Sequence, residues 1–186
     1  MDDEQAEGQI TRLLARARVG DPQALGDVYT SLYDELKQAA HQQLRRLRGP
    51  LEATELVHEA YVKLVGGAAL SARDRHHLLA MSARAMRQVL VDKARQAYAR
   101  KRDGGYALTL TTQLESGEQA VFEVLALDEL LGSLRQIDER AAQVVELRYF
   151  GGYSESEIAQ ILDVVERTVR RDWRRARVFL LEELEK

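Results

Sequence analysis

The 186-residue chain has no cysteine, only two prolines and a single tryptophan. Without thiols it can build no disulfide framework, no zinc ribbon and no thiol nucleophile. No apolar run approaches the roughly 20 residues that a membrane span needs, and no glycine-rich phosphate loop is present. The opening Met1-Asp2-Asp3-Glu4 is acidic where a secretion signal would be basic and then apolar. No stretch reads as a strand, and no internal repeat is visible. What remains is a chain with 45% hydrophobic residues, enough to bury a core. Its length suits one large domain or two small ones of roughly 80–100 residues. The expectation is a soluble, cytoplasmic, all-α protein without membrane insertion, cofactor or resident metal.

A net charge of −3 argues against nucleic acid at first sight, because binders usually carry a basic surplus. The charges are sorted along the chain, however. Residues 1–102 hold 17 basic and 13 acidic side chains, residues 103–135 hold 1 and 6, and residues 136–186 hold 9 and 11. Two basic clusters stand out. One is Arg84, Arg87, Lys93, Arg95, Arg100, Lys101 and Arg102, opposed only by Asp92; the other is Arg167, Arg170, Arg171, Arg174, Arg175 and Arg177, opposed by Asp172. Local fields steer a polyanion, whereas the net charge mostly sets solubility.

Apolar spacing predicts successive amphipathic helices. A short one covers Gln9 to Val19, and Asp21-Pro22 supplies a cap and a first-turn proline for a helix to about Arg48, which Gly49-Pro50 stops. A helix from about Glu55 to Val65 ends at Gly66-Gly67. Ser71 or Asp74 caps the next, which runs to about Arg102 with Leu79, Ala83, Met86, Leu90, Ala94 and Ala97 as its core stripe. Asp103-Gly104-Gly105 closes a first domain, 1–102. Residues 103–123 read as a flexible linker, rich in Thr, Gly and Glu, whose acidity is most simply a solvated face. The second domain, 124–186, holds helices at about 124–135 and 138–150, a break at Gly151-Gly152, and a Ser154/Glu157 capping box.

From Glu155 the chain reads ESEIAQILDVVERTVRRDWRR, with the pattern of a helix-turn-helix. Ile158, Leu162, Val164, Val169 and Trp173 take its apolar positions and Ala159 the small one. Asp163 sits at the turn, where Gly is usual; Asp tolerates a left-handed backbone better than most residues. On the second helix Val169, Trp173, Ala176 and Leu180 lie on one side, with Arg167, Arg171 and Arg174 opposite and Arg170 and Arg175 flanking. Arginine forks suit phosphate oxygens and guanine edges. A solvated face would show alternating signs instead.

A second basic stripe runs along the helix at 74–102: Arg84, Arg95 and Arg102, with Arg87, Gln88 and Tyr98 beside it. It lies roughly 120° from the apolar stripe, leaving both available, and basic residues with an aromatic suit unstacked bases. A solvated face competes with that reading. In the helix that follows Glu52-Ala53, Thr54 can cap, Glu55 and Glu59 share one face, and Leu56, Ala60 and Leu64 share another. His58, His41 and the pair His76-His77 form no ligand spacing, so His58 reads as structural and the acidic face as a protein-contact surface.

The stretches ELVHEAYVKLV, RHHLLAMSARAMRQVLVDKARQAYARKR and LDELLGSLRQIDERAAQVVELRYFGGYSESEIAQIL…RTVRRDWRRAR, in this order, resemble bacterial sigma factors of the extracytoplasmic-function (ECF) group of the sigma-70 family. The resemblance covers about residues 20–184. It implies a region 2 domain at 20–102 and a region 4 domain at 124–184. By the same resemblance Glu55, His58, Glu59 and Val62 would dock on the β′ clamp helices of core RNA polymerase. The helix 84–102 and the loop 66–75, with Arg84, Arg87, Gln88, Arg95, Tyr98 and Arg102, would melt and read the −10 element. Arg167, Thr168, Arg170, Arg171, Arg174 and Arg175 would read the −35 element as duplex, with the apolar side of region 4 on the β flap. The linker would thread toward the RNA exit path, its acidity mimicking nucleic acid.

Three positions depart from the family pattern. Asp163 replaces the turn glycine, Val165 stands where Ser or Thr caps the recognition helix, and Thr54 replaces an acid in the clamp-binding segment. A lost cap costs about 1 kcal/mol. A phosphate on Thr54, placed by a Ser/Thr kinase of the sort that accompanies some ECF groups, would restore the missing charge at a helix N-terminus. An anti-sigma protein is the other partner such a chain would have. Two other functions compete. A stand-alone helix-turn-helix regulator of duplex DNA would leave the first domain's basic and acidic helices without a role. A nucleic-acid enzyme would need a carboxylate cluster or an activated nucleophile, and only Glu55 and Glu59 with His58 approach one; no catalytic residue is assigned.

Overall fold

In the computed structural model, residues 2–47, 51–65, 68–103 and 113–184 are described. Among them the chain forms eight α-helices and no strand. Helix α1 (Asp2–Arg18) begins earlier than its apolar spacing indicates and buries Ile10, Leu13, Leu14 and Ala17. Asp21 accepts from the Gln23 amide (3.0 Å) and receives Arg16 (2.6 Å), a capping arrangement ahead of α2 (Ala24–Leu47). Val28, Leu32, Leu36, Ala40 and Gln43 form the buried side of α2. Helix α3 (Ala53–Val65) buries Leu56, Val57, Ala60 and Leu64. Its start differs from expectation: the Glu52 carbonyl accepts from the Leu56 amide (3.0 Å), so Thr54 lies inside the first turn rather than capping it. The expected stops at Gly49-Pro50, Gly66-Gly67 and Gly104-Gly105 lie outside the described residues.

A 3-10 turn at Ala68–Ser71 leads into α4 (Arg75–Asp103). Asp74, one of the two expected caps, accepts from the His77 amide at 2.8 Å. The stripe Leu79, Ala83, Met86, Leu90 and Ala94 is buried as the spacing predicts, but Ala97 is exposed, because α4 has by then run past the helices that cover it. Leu78, Ala85, Val89 and Val91 are buried as well. Burial on more than one side makes α4 the central helix: α1–α3 pack on it from one direction and the C-terminal half from another.

That second layer starts with α5 (Gln113–Ile137), which is already helical across 113–123, where the composition reads as linker. Gln, Glu, Ala and Leu dominate there, and their helix propensity offsets Ser116 and Gly117. Residues 104–112 lie outside the described part. Asp138 caps α6 (Glu139–Glu146) by accepting from the Ala141 amide, and the helix widens into a π-helical turn at Leu147–Gly151. Helix α7 (Glu155–Leu162) opens with the expected capping box: the Glu157 amide donates to Ser154 Oγ (3.3 Å) and the Ser154 amide to Glu157 Oε2 (2.7 Å). Helix α8 (Glu166–Leu184) completes the chain.

One buried apolar cluster runs through both halves, from Ile10 on α1 to Ala176 on α8, with Phe150 of the π-helical turn fully enclosed. A smaller cluster of Val144, Leu147, Ile158, Ala159 and Val169 joins α6, α7 and α8. The turn after the π-helix is tied to the first half at Gly152. Its φ of 72° is left-handed, and a side chain there would run into Gln42 of α2. Gly152→Ala therefore meets both a backbone penalty of about 1–2 kcal/mol and a displaced Gln42. The thermal unfolding midpoint should fall by about 2–8 °C, read by circular dichroism; an unchanged midpoint would show that the turn does not adopt this backbone.

Candidate nucleic-acid interface

Helices α7 and α8 meet across the turn at 163–165. Asp163 adopts the left-handed conformation expected of it (φ 53°, ψ 51°), and the Val164 amide donates back to the Ala159 carbonyl at 2.9 Å. Val165 precedes α8 with its side chain exposed; only its carbonyl is used, accepting from the Thr168 amide at 2.8 Å. The side-chain cap missing from the sequence is missing from the helix start too. Ile158, Ala159 and Val169 are buried between the two helices, and Leu162, Val164 and Trp173 pack against them.

All six arginines of α8 are exposed, on the side away from the buried Val169, Asp172 and Ala176. Their ion pairs divide them. Arg170 is held by Glu155 and Glu166, both at 2.6 Å. Arg175 is held by Asp138 (2.5 Å) and Asp172 (2.9 Å), and Arg171 approaches Asp172 at 3.6 Å. Arg167, Arg174 and Arg177 have no carboxylate partner among the described residues. Thr168 is half-buried in the first turn of α8. Glu155 also receives Arg148 (3.1 Å), whose guanidinium lies 4.6 Å from the centre of the Trp173 ring. The hydrogen bonds from Arg170 and then Arg148 hold the Glu155 carboxyl below the ordinary carboxylate range.

Asp172 counts in the sequence only as an acid among arginines. Its side chain is fully buried and accepts from Arg140 Nε at 2.5 Å and from Arg175. Burial alone would raise its pKa, but the Arg140 hydrogen bond and the charges of Arg140, Arg175 and Arg171 outweigh that and hold it low. Asp172, Arg140, Arg175 and the α6 cap Asp138 thus fix α8 against the start of α6. The pairing of Asp172 with an arginine 32 positions away leaves no trace in local spacing.

The basic stripe of α4 is ion-paired, with Arg84 and Arg95 still exposed to solvent. Arg87 is buried, with its Nε on Glu146 Oε1 (2.8 Å) and Nη1 on Asp128 Oδ1 (2.5 Å). Arg95 reaches the other oxygen of Asp128 (3.1 Å), and Arg84 reaches Glu146 Oε2 (3.2 Å), which Arg135 also contacts at 3.0 Å. Of these arginines α5 and α6 bury only Arg87; Arg84 and Arg95 stay exposed beside the apolar stripe, each paired with a carboxylate. Gln88 and Tyr98 remain exposed; the side chain of Arg102 lies outside the described residues. On α3, Thr54, Glu55, His58 and Val62 are exposed and Glu59 half-buried, with Lys93 of α4 at 3.7 Å from Glu55 and 3.5 Å from Glu59. The imidazole of His77 accepts from the Arg73 amide (3.1 Å), and burial lowers its pKa. Among the described residues no group of three or more His, Cys, Asp or Glu could hold a metal ion, and no helix is long and apolar enough to cross a membrane.

The family model described as ECF sigma factor matches residues 7–186. The chain belongs to the ECF sigma factor family. Members of this family act in transcription initiation, with RNA polymerase and promoter DNA as partners, and are not enzymes. No curated protein matches the chain. For this sigma factor, the anchoring of α8 by Asp172 makes a pH-dependent prediction. A carboxyl whose pKa is lowered on folding stabilises the fold above its unfolded value of about 3.9 and loses that contribution as the pH falls through the folded value. Asp172→Asn should cost about 1.5–3 kcal/mol at neutral pH, with the gap to wild type closing below about pH 4. Urea unfolding at both pH values checks this; a pH-independent gap would contradict the anchoring role.

Proposed function

We propose that this sigma factor binds core RNA polymerase through α3 and directs initiation at promoters read by two surfaces. Glu55, His58, Glu59 and Val62 would face the β′ clamp helices. The pair α7–α8 would act as the helix-turn-helix that reads the −35 element, while Arg84, Arg87, Gln88, Arg95, Tyr98 and Arg102 of α4 would hold the melted −10 strand. The division into a first unit of 1–102 and a second of 124–186 follows these two tasks. Such work on the chromosome belongs in the cytoplasm.

The observation that carries the reading is the exposed arginine face of α8, opposite a buried side fixed by Val169, Asp172 and Ala176. Within that face the ion pairs rank the contacts. Arg167 and Arg174 are free to meet DNA, whereas Arg170 and Arg175 must first leave Glu155, Glu166, Asp138 or Asp172. Thr54, exposed in the first turn of α3, is the position at which a Ser/Thr kinase would add charge beside the clamp-facing residues. Thr54→Ala transcribing in cells as wild type does would remove that site, and an anti-sigma protein would be the remaining regulator.

Run-off transcription with purified bacterial core polymerase on pooled genomic fragments tests the main proposal. New discrete transcript starts should appear only with the chain present. Arg174→Ala should reduce them about 5- to 100-fold, the effect of losing one base contact, with no change in the unfolding midpoint. Absence of transcripts, together with sequence-specific duplex binding by the chain alone, would replace the proposal with a stand-alone regulator.

A further inference from the structure

We propose that Glu155 is a positioning residue for the reading face of α8: it anchors an ion-pair circuit that takes the place of the cap α8 lacks. This rests on the reading of α7–α8 as the duplex-contact pair. Val165 offers no side-chain acceptor at the start of α8, and the amides of Glu166 and Arg167 find no backbone acceptor among the described residues. A helix start without a cap frays in its first turn unless something else holds it. Arg167, which has no carboxylate partner among the described residues, lies in that turn.

Arg170 Nε donates to Glu155 Oε2 and its Nη2 to Glu166 Oε2, both at 2.6 Å. The first bond crosses to the opening residue of α7, and the second returns to the opening residue of α8. The other oxygen of Glu155 accepts from Arg148 Nη1 of the π-helical turn at 3.1 Å. The Arg148 guanidinium in turn lies 4.6 Å from the centre of the Trp173 ring, back on α8. Arg170 and Trp173 are three positions apart and neighbours on the helix surface, so the contacts close on themselves through three segments. Both acids sit at helix N-termini, where negative charge is favoured. Farther along, Arg140 already holds α8 against α6 through Asp172, so the first turn is the part that depends on Glu155. Arg170 stays with its carboxylates as support, and Arg167 reads from a helix start that the circuit holds in place.

The test compares base preference in a duplex library randomised over the −35 region. Preference is read from transcripts made by the holoenzyme and, in parallel, from duplexes retained by the chain alone. Arg167→Ala marks the position that Arg167 reads. Glu155→Gln should lower the preference there by about 3- to 10-fold, the scale of one lost cap, and leave the position marked by Arg174→Ala unchanged. Arg170→Gln should do the same, and the double variant should be no worse than either, because both changes open one circuit. Val165→Ser or Val165→Asn supplies a cap and should restore the preference lost in Glu155→Gln. A general loss of structure would not be repaired at one base position by a cap on α8. Glu139→Gln, at an exposed acid of α6 with no ion partner among the described residues, makes the same charge change and should alter nothing. Exposed pairs contribute little stability, so unfolding midpoints should stay within about 4 °C of wild type. An unchanged profile in Glu155→Gln, or no restoration by either Val165 variant, would overturn the proposal. So would an Arg170→Gln profile that loses a position Glu155→Gln keeps, since Arg170 would then be a reader itself. Wild-type transcripts without a Glu155 effect leave the sigma function and remove the positioning role. A rescued Glu155 effect in the chain-alone selection, without transcripts, does the reverse.

Discussion

Glu146 is the residue around which the two halves are arranged. Its carboxylate is almost fully buried and takes Arg84 and Arg87 from α4 and Arg135 from α5. A buried carboxylate left without cations is penalised by several kcal/mol, so wherever α6 packs, basic side chains from both neighbours must converge. That condition brings α4, α5 and α6 to one point. It also seats Phe150 and the π-helical turn against α4, and Gly152 against α2. The apolar cluster that runs through the chain supplies the larger driving force, but the ion cluster sets the register in which the halves meet.

Asp172 does for α8 what Glu146 does for the halves. Both are acids placed among arginines, both are buried, and both reach across helices: Asp172 to Arg140, Glu146 to Arg87. Exposed pairs such as Lys63–Asp92 contribute little by comparison. The contrast gives the arginines of this chain two uses. Those anchored to buried acids position helices, and those of α8 without carboxylate partners among the described residues, Arg167, Arg174 and Arg177, are available to a polyanion. ECF sigma factors have promoter DNA as a partner, and the proposed function assigns these arginines to it.

Local chemistry was legible. The Ser154/Glu157 box, the Asp74 cap and the left-handed Asp163 each depend on residues within a few positions of one another, and all occur. Thr54 was misplaced as a cap by two positions, since the helix starts at Ala53 and Glu52 takes the cap position. The helical stretch at 113–123 was missed because Ser and Gly among Glu and Gln blur the period.

By itself the sequence determined the all-α class, most of the helix ends, the α7–α8 pair and the candidate contact residues, because these follow from short-range spacing and from side-chain chemistry. The burial of Arg87, the pairing of Arg95 with Asp128 and the anchoring of Asp172 by Arg140 were decided only in three dimensions. An arginine on a helical wheel is simply a cation on one face. Whether that face meets water, DNA or a carboxylate depends on which distant helix is folded against it, and separations of about 30 to 60 residues leave no periodic mark.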